Sequence, residues 1–217
     1  GDAASSARLL RDLGAACALA RQRTGAARVH LLGASWGGKL VAAYAADLAR
    51  RAGPAALAGQ IASLTMVAPG IASRVDVPAA TKLAIASCAL LAPRARFAIP
   101  LDDAELFTDS EPMRQYLRGD RFALHRATAR FLLASRRLDR LLRRAAAGAL
   151  SLPVTLILAE RDRIIDNDAT LAAVRGLAGE ALSVRVLSTA HVPEFEDDPR
   201  PLYAALVEAL ARAEGAG

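Results

Sequence analysis

The chain has 217 residues, 53% of them hydrophobic, 23% charged and only 4% aromatic, which excludes a disordered chain and fits one globular domain with a small, aliphatic core. Its formal charge of +6 rests on arginine, because lysine occurs only at Lys39 and Lys82. The arginines alternate with acids, as in Arg136-Arg137-Leu138-Asp139-Arg140, so the chain lacks the basic stripe with interleaved aromatics of a nucleic-acid binder.

Leu9, Leu10, Leu13, Cys17 and Leu19 recur at helical spacing, and the pattern predicts a helix over 5–22, ended by Gly25. Val29, Leu31 and Leu32 form a short apolar run bounded by Gly33, the signature of a buried strand. Leu40, Val41, Tyr44 and Leu48 restore the helical period over 37–51. Pro54 and Gly59 predict a loop, and Ile61 to Val67 a second strand stopped by Pro69-Gly70.

Residues 71–150 change character. The pattern there is helical, broken at Pro78, Pro93, Pro100 and Pro112, with no strand expected. Ala79–Leu91 is the most apolar helix, and 121–134 with 136–147 reads as an arginine-studded helical pair. Alternation then resumes with a strand at Pro153–Leu158, a helix at Ala169–Leu177 and a strand at Leu182–Leu187. A last helix is expected from Asp198-Pro199, with Leu202, Leu206 and Leu210 on one face. Strand–helix alternation implies an α/β fold, a mostly parallel sheet with helices on both faces. The division expected is a core of 1–70 and 151–217 with a helical cap inserted at 71–150.

Gly33-Ala34-Ser35-Trp36-Gly37 lies between a strand and a helix. A Gly-x-Ser-x-Gly in that position forms a sharp, strained turn that lifts the serine hydroxyl above the sheet. Gly33 and Gly37 would remove side chains that clash in such a nucleophile elbow. Ser35 would then sit beside a helix N-terminus, with the Trp36 N–H as an oxyanion donor. A serine needs a base, and the chain holds three histidines. His30 lies inside the strand before the elbow, and His125 is expected on a helix among arginines. His191 falls in Thr189-Ala190-His191-Val192-Pro193, straight after the last predicted strand, where catalytic groups gather in parallel sheets. Asp162 follows the strand before it and is the expected acid; Glu160 and Asp166 compete, Asp166 being better placed to cap the next helix. The chain order Ser35, Asp162, His191 is that of an α/β-hydrolase triad.

Over essentially its whole length the sequence resembles the α/β-hydrolase superfamily. More narrowly it is similar to the monoacylglycerol lipase, lysophospholipase and serine aminopeptidase-like branch. The segments that carry the resemblance are Val29 to Gly38, Leu158 to Ile165 and Thr189 to Pro193, with Leu106-Phe107-Thr108-Asp109 and Arg126 to Leu132 less specifically. Ala34, Trp36 and Ala159 stand where His, Met and Gly are usual. The resemblance implies Ser35 as nucleophile, Asp162 as acid and His191 as base, acting on a small-molecule acyl ester through an acyl-enzyme, with no cofactor and no metal. Acyl transfer and thioester, peptide or carbon–carbon bond hydrolysis use the same triad on this fold. The family's sheet has about four strands before the nucleophile strand, and the loop after the third gives a second oxyanion donor. The chain opens on the helix before the nucleophile strand, so a C-terminal portion with an incomplete oxyanion hole is expected, and a silent binding module is the reading from another class.

Cys17 and Cys88 are expected as buried free thiols, without disulfide or zinc spacing. No apolar run reaches the roughly 20 residues of a membrane span, and no leader pattern opens the chain. Together these point to a cytoplasmic protein without a transmembrane segment.

Overall fold

The computed structural model describes residues 1–215. Helix α1 (Ser6–Thr24) starts at Ser5, whose side chain accepts the Arg8 N–H, and stops at Gly25 in the left-handed conformation. Strand β1 (Val29–Ala34) follows, then α2 (Trp36–Ala52), a short α3 (Pro54–Gln60) and β2 (Ile61–Val67). The loop expected around Pro54 is thus a helix. Proline at its first turn, where no intrahelical N–H bond is lost, initiates it rather than breaking it.

Between β2 and the next sheet strand run α4 (Ala79–Leu91), β3 (Arg96–Ala98), α5 (Glu111–Gly119), β4 (Arg126–Thr128) and α6 (Ala129–Arg144). Two expectations fail here. Residues 96–98 and 126–128 form an antiparallel two-stranded ladder where no strand was expected. The helical pair at 121–134 and 136–147 is one helix, capped by Thr128, whose hydroxyl accepts the Phe131 N–H. The break lies before residue 129 because Thr128 both ends β4 and caps α6. The chain then forms β5 (Val154–Ala159), α7 (Asn167–Ala178), β6 (Leu182–Leu187) and α8 (Arg200–Gly215).

The main sheet is wholly parallel, in the order β1-β2-β5-β6. Strands β2 and β5 are buried along their entire length, as a sheet covered on both faces requires. The period of two divides their side chains between layers. Leu64, Met66, Val154, Leu156 and Leu158 pack with α1, α2, α6 and α7, and Val67 and Ile157 pack with Leu202 and Ala205 of α8. On α8 the buried face is Leu202, Ala205, Ala209 and Ala213. Of the leucines expected on one face, Leu202 is buried and Leu206 packs against the same cluster, while Leu210 is exposed. Cys17 is buried as expected, but Cys88 is only half-buried. β1 is an outer strand with His30 and Leu32 exposed on its open face. Among the described residues no helix is long and apolar enough to cross a membrane.

A buried ion pair joins the core to the insertion. Lys39 of α2 places Nζ 2.7 Å from Asp139 Oδ1 of α6, both side chains 11% exposed. The approach is a charge contact rather than an aligned hydrogen bond, since Oδ1 has no partner by hydrogen-bond geometry. Such a pair costs more to break than to replace. Asp139→Ala is expected to lose about 3 kcal/mol in denaturant unfolding, whereas Lys39→Met combined with Asp139→Leu stays close to wild type.

Candidate active site

The chain enters the site at the turn from β1 to α2. Ser35 has φ 49° and ψ −122°, a conformation that costs a non-glycine residue about 1–3 kcal/mol. Neighbours over-determine it. Its N–H donates to Val67 O at 2.9 Å, and its carbonyl accepts from Gly38 N at 3.0 Å and Gly70 N at 2.8 Å. Although Ser35 stands at the N-cap of α2, its hydroxyl makes no capping bond. The hydroxyl instead lies 2.8 Å from His191 Nε2.

The role expected of the two elbow glycines divides differently. A Cβ on Gly33 would lie 2.5 Å from Gly37 O, against backbone that cannot yield. A Cβ on Gly37 would meet nothing within 4 Å, whereas one on Gly38 would lie 2.6 Å from Pro69 Cβ. Gly33 and Gly38 are therefore the glycines that the turn requires, because α2 crosses the β2–Pro69 corner at Gly38. Trp36 opens α2, so its N–H has no intrahelical acceptor by position. Its indole N–H donates to Ser135 Oγ of α6 at 3.0 Å, and its ring tilts against Phe131 at 5.0 Å.

Asp162 and His191 arrive from the ends of β5 and β6, and both are buried. Asp162 Oδ1 accepts the Ile164 and Ile165 N–H groups, each at 2.8 Å. Oδ2 lies 2.8 Å from His191 Nδ1. A carboxylate can only accept, so Nδ1 carries the proton and Nε2 offers its lone pair to the Ser35 hydroxyl. Sequence neighbours of His191 are pinned on both sides: Ala190 N–H donates to Glu196 at 2.9 Å and Val192 N–H to Phe107 O at 2.9 Å. The Phe107 ring stands edge-on to the imidazole, 6.2 Å between centroids.

The competing residues lie elsewhere. Asp166 caps α7, accepting the Ala169 N–H at 3.0 Å, and Glu160 is exposed. His30 bonds Ser63 Oγ at 2.8 Å on the open side of β1. His125 is not on a helix: it precedes β4 in extended chain, exposed, with Nδ1 2.9 Å from Asp102. Sequence reasoning assigned no role to Asp109, although Leu106 to Asp109 stood out as family-like. Asp109 bonds Arg161 and Arg163, the residues on either side of Asp162. Those guanidiniums, Arg163 foremost, hold its carboxyl below the usual carboxylate range.

A cavity of about 490 Å³ adjoins the elbow, since Gly70, bonded to the Ser35 carbonyl, lies on its wall. Its apolar lining includes Ile71, Val75, Ile85, Ile99 and Leu132, and its polar end holds Lys39, Ser135 and Asp139.

The profile of the family described as serine aminopeptidase, S33, matches residues 1–192. Among curated protein sequences, none matches the chain. Solved structures with the same fold include the monoacylglycerol lipase of Paleococcus ferrophilus, at TM-score 0.79 and 16% identity over 96% of this chain and 76% of that one. A soluble variant of the monoglyceride lipase of Saccharomyces cerevisiae, in complex with a substrate analog, gives 0.73 at 16% identity over 94% and 68%. The α/β hydrolase GrgF of a Penicillium species gives 0.70 at 17% over 96% and 72%.

The elbow contacts set an order among glycine substitutions. Gly33→Ala and Gly38→Ala are each expected to cost about 1–3 kcal/mol through overpacking. Gly37→Ala is expected to be neutral or to stabilise by up to about 1 kcal/mol, the helical advantage of alanine. Urea unfolding midpoints of the three variants check the order.

Proposed function

The chain belongs to the serine aminopeptidase, S33, family of α/β-hydrolases, and from that premise we propose that it is a serine hydrolase cleaving carboxylic esters of the lipid or acylglycerol type. The observation that carries the reading is the unbroken hydrogen-bond chain from Ser35 Oγ through His191 to Asp162, 2.8 Å at each link. His191 takes the hydroxyl proton as Ser35 Oγ attacks the acyl carbon. The resulting oxyanion is met by the Trp36 N–H, and Asp162 stabilises the imidazolium and holds its orientation. The imidazolium returns the proton to the departing alcohol, leaving an acyl-enzyme. Water, activated by the same histidine, then frees the acid and restores Ser35.

The ester rather than the peptide reading is favoured by the cavity. Its walls are apolar along Ile71, Val75, Ile85, Ile99 and Leu132, and its carboxylates are already committed: Asp76 pairs with Lys82 and Arg136, and Asp139 with Lys39. A peptide's N-terminal amine would find no unpaired carboxylate there.

A fluorescent fluorophosphonate should label the wild-type chain and spare Ser35→Ala. Equal labelling of the two proteins would remove Ser35 as the nucleophile. On p-nitrophenyl esters, His191→Ala and Asp162→Ala should each lower kcat by about 1,000-fold or more relative to wild type.

A further inference from the structure

We infer that Asp109 is a positioning residue of the triad, clamping Arg161 and Arg163 so that Asp162 between them stays engaged with His191. The inference rests on the serine-hydrolase reading above. Asp109 belongs to the segment between β2 and β5, more than fifty residues from Asp162 in sequence. Its Oδ2 accepts Arg161 Nε at 2.8 Å and its Oδ1 accepts Arg163 Nη2 at 2.7 Å. One carboxylate thus occupies two guanidiniums, one from each side of the triad acid, and Arg114 adds a longer contact at 3.5 Å.

The geometry matters because of what the arginines would otherwise do. Each stands one residue from a buried carboxylate whose Oδ2 must remain available to the imidazole. A guanidinium released from Asp109 can turn to that carboxylate and compete with the His191 Nδ1–H, since a charged donor outbids a neutral one. With Asp109 in place both heads are held away by further bonds. Arg161 Nη1 donates to Ser188 Oγ at 2.8 Å, and Arg163 Nη1 to Glu105 O at 2.6 Å.

The same short segment also grips the histidine loop. Phe107 O accepts the Val192 N–H at 2.9 Å, Thr108 Oγ1 donates to Phe195 O at 2.8 Å, and the Asp109 N–H approaches Glu196 Oε1 at 3.4 Å. That Glu196 oxygen holds the Ala190 N–H at 2.9 Å. The acid loop and the histidine loop therefore meet on residues 105–109, and Asp109 touches both, the first through its carboxylate and the second through its N–H. Asp109 is partly exposed, its side chain at 29%. Exposed and half-exposed ion pairs contribute little to global stability, so its removal acts on geometry at the triad more than on folding.

The test compares wild type with Asp109→Asn, Asp109→Glu and Arg163→Gln, each titrated with fluorophosphonate so that kcat refers to competent Ser35 sites. For Asp109→Asn, kcat per titrated site on p-nitrophenyl butyrate is expected to fall about 10- to 100-fold, the cost of a misplaced catalytic group. KM should be unchanged, and Asp109→Glu should recover most of the loss. Arg163→Gln opens the clamp from the other side and should also lower kcat; the two changes together should lose less than the product of their separate losses. The low-field proton resonance of His191 Nδ1–H should broaden or vanish in Asp109→Asn and persist in Asp109→Glu. Wild-type kcat per site and an unaltered resonance in Asp109→Asn would overturn the inference while leaving the hydrolase reading intact. If Asp109→Asn does not fold, Arg163→Gln decides: wild-type kcat and resonance there overturn it. Failure of the wild type to label at Ser35 would instead overturn the hydrolase reading, and the inference with it.

Discussion

The turn at Ser35 is the constraint on which the site depends. A serine at φ 49° is held away from its favoured conformations, and the free energy for that comes from parts of the chain that are not local. Val67 at the end of β2 receives its N–H, and Gly70 just beyond β2 bonds its carbonyl. Parallel pairing of β1 with β2 sets the distance between those points. Gly33 lets the turn close on its own backbone and Gly38 lets α2 pass Pro69. Because these bonds satisfy the backbone, the hydroxyl need not cap the helix. Its freedom is a product of the sheet, not of the motif alone.

The partners of Ser35 follow from the same sheet. Parallel strands present successive carboxyl ends along one edge, so the chain after β1, β5 and β6 delivers Ser35, Asp162 and His191 to one place without a long loop. Burial then sharpens the chemistry. Asp162 has each oxygen assigned, one to two backbone N–H groups and one to the imidazole. A buried carboxylate so fully partnered has one orientation, and through it the imidazole has one tautomer.

Much of this was legible in the sequence, for identifiable reasons. α4 runs over Ala79–Leu91 and β6 over Leu182–Leu187 as expected, because a proline and a hydrophobic run mark their ends. Ser35, Asp162 and His191, which the structure brings within hydrogen-bond reach of one another, each follow a predicted strand. The misreadings share a cause: tertiary contacts that no local pattern encodes. Arg96–Ala98 is a strand only because Arg126–Thr128 pairs with it. Gly37 reads as the second small residue of the elbow, yet it is Gly38 that meets Pro69, a contact made by chain crossing. On α8 the leucine spacing located Leu202 and Leu206 correctly, but Leu210 is exposed and Ala205, Ala209 and Ala213 complete the buried face. Asp109 carried no signal of its contacts with Arg161 and Arg163, which lie more than fifty residues away.

That last separation bears on how the insertion between β2 and β5 relates to the core. Besides the apolar packing of Leu138 and Leu142 in the main core, polar and aromatic contacts near the site join the two. Ser135 and Phe131 engage the Trp36 indole, Asp139 pairs with Lys39, and residues 105–109 bond the loops that carry Asp162 and His191. The first two contacts fall on α2, which begins just after Ser35; the third falls on the loops of Asp162 and His191. A segment that only covered the sheet would need apolar packing and nothing more. Instead its polar bonds reach each of the three elements that bear the Ser–His–Asp chain, so a displacement of the insertion would be felt as a change in their mutual distances. Rigid attachment is consistent with this. The bonds at 105–109 are to backbone and to paired charges, which tolerate little drift, whereas Leu83, Leu90 and Leu91 of α4 are exposed. The insertion is thus divided between residues 105–109, bonded to the loops of Asp162 and His191, and an α4 whose outer leucines face solvent.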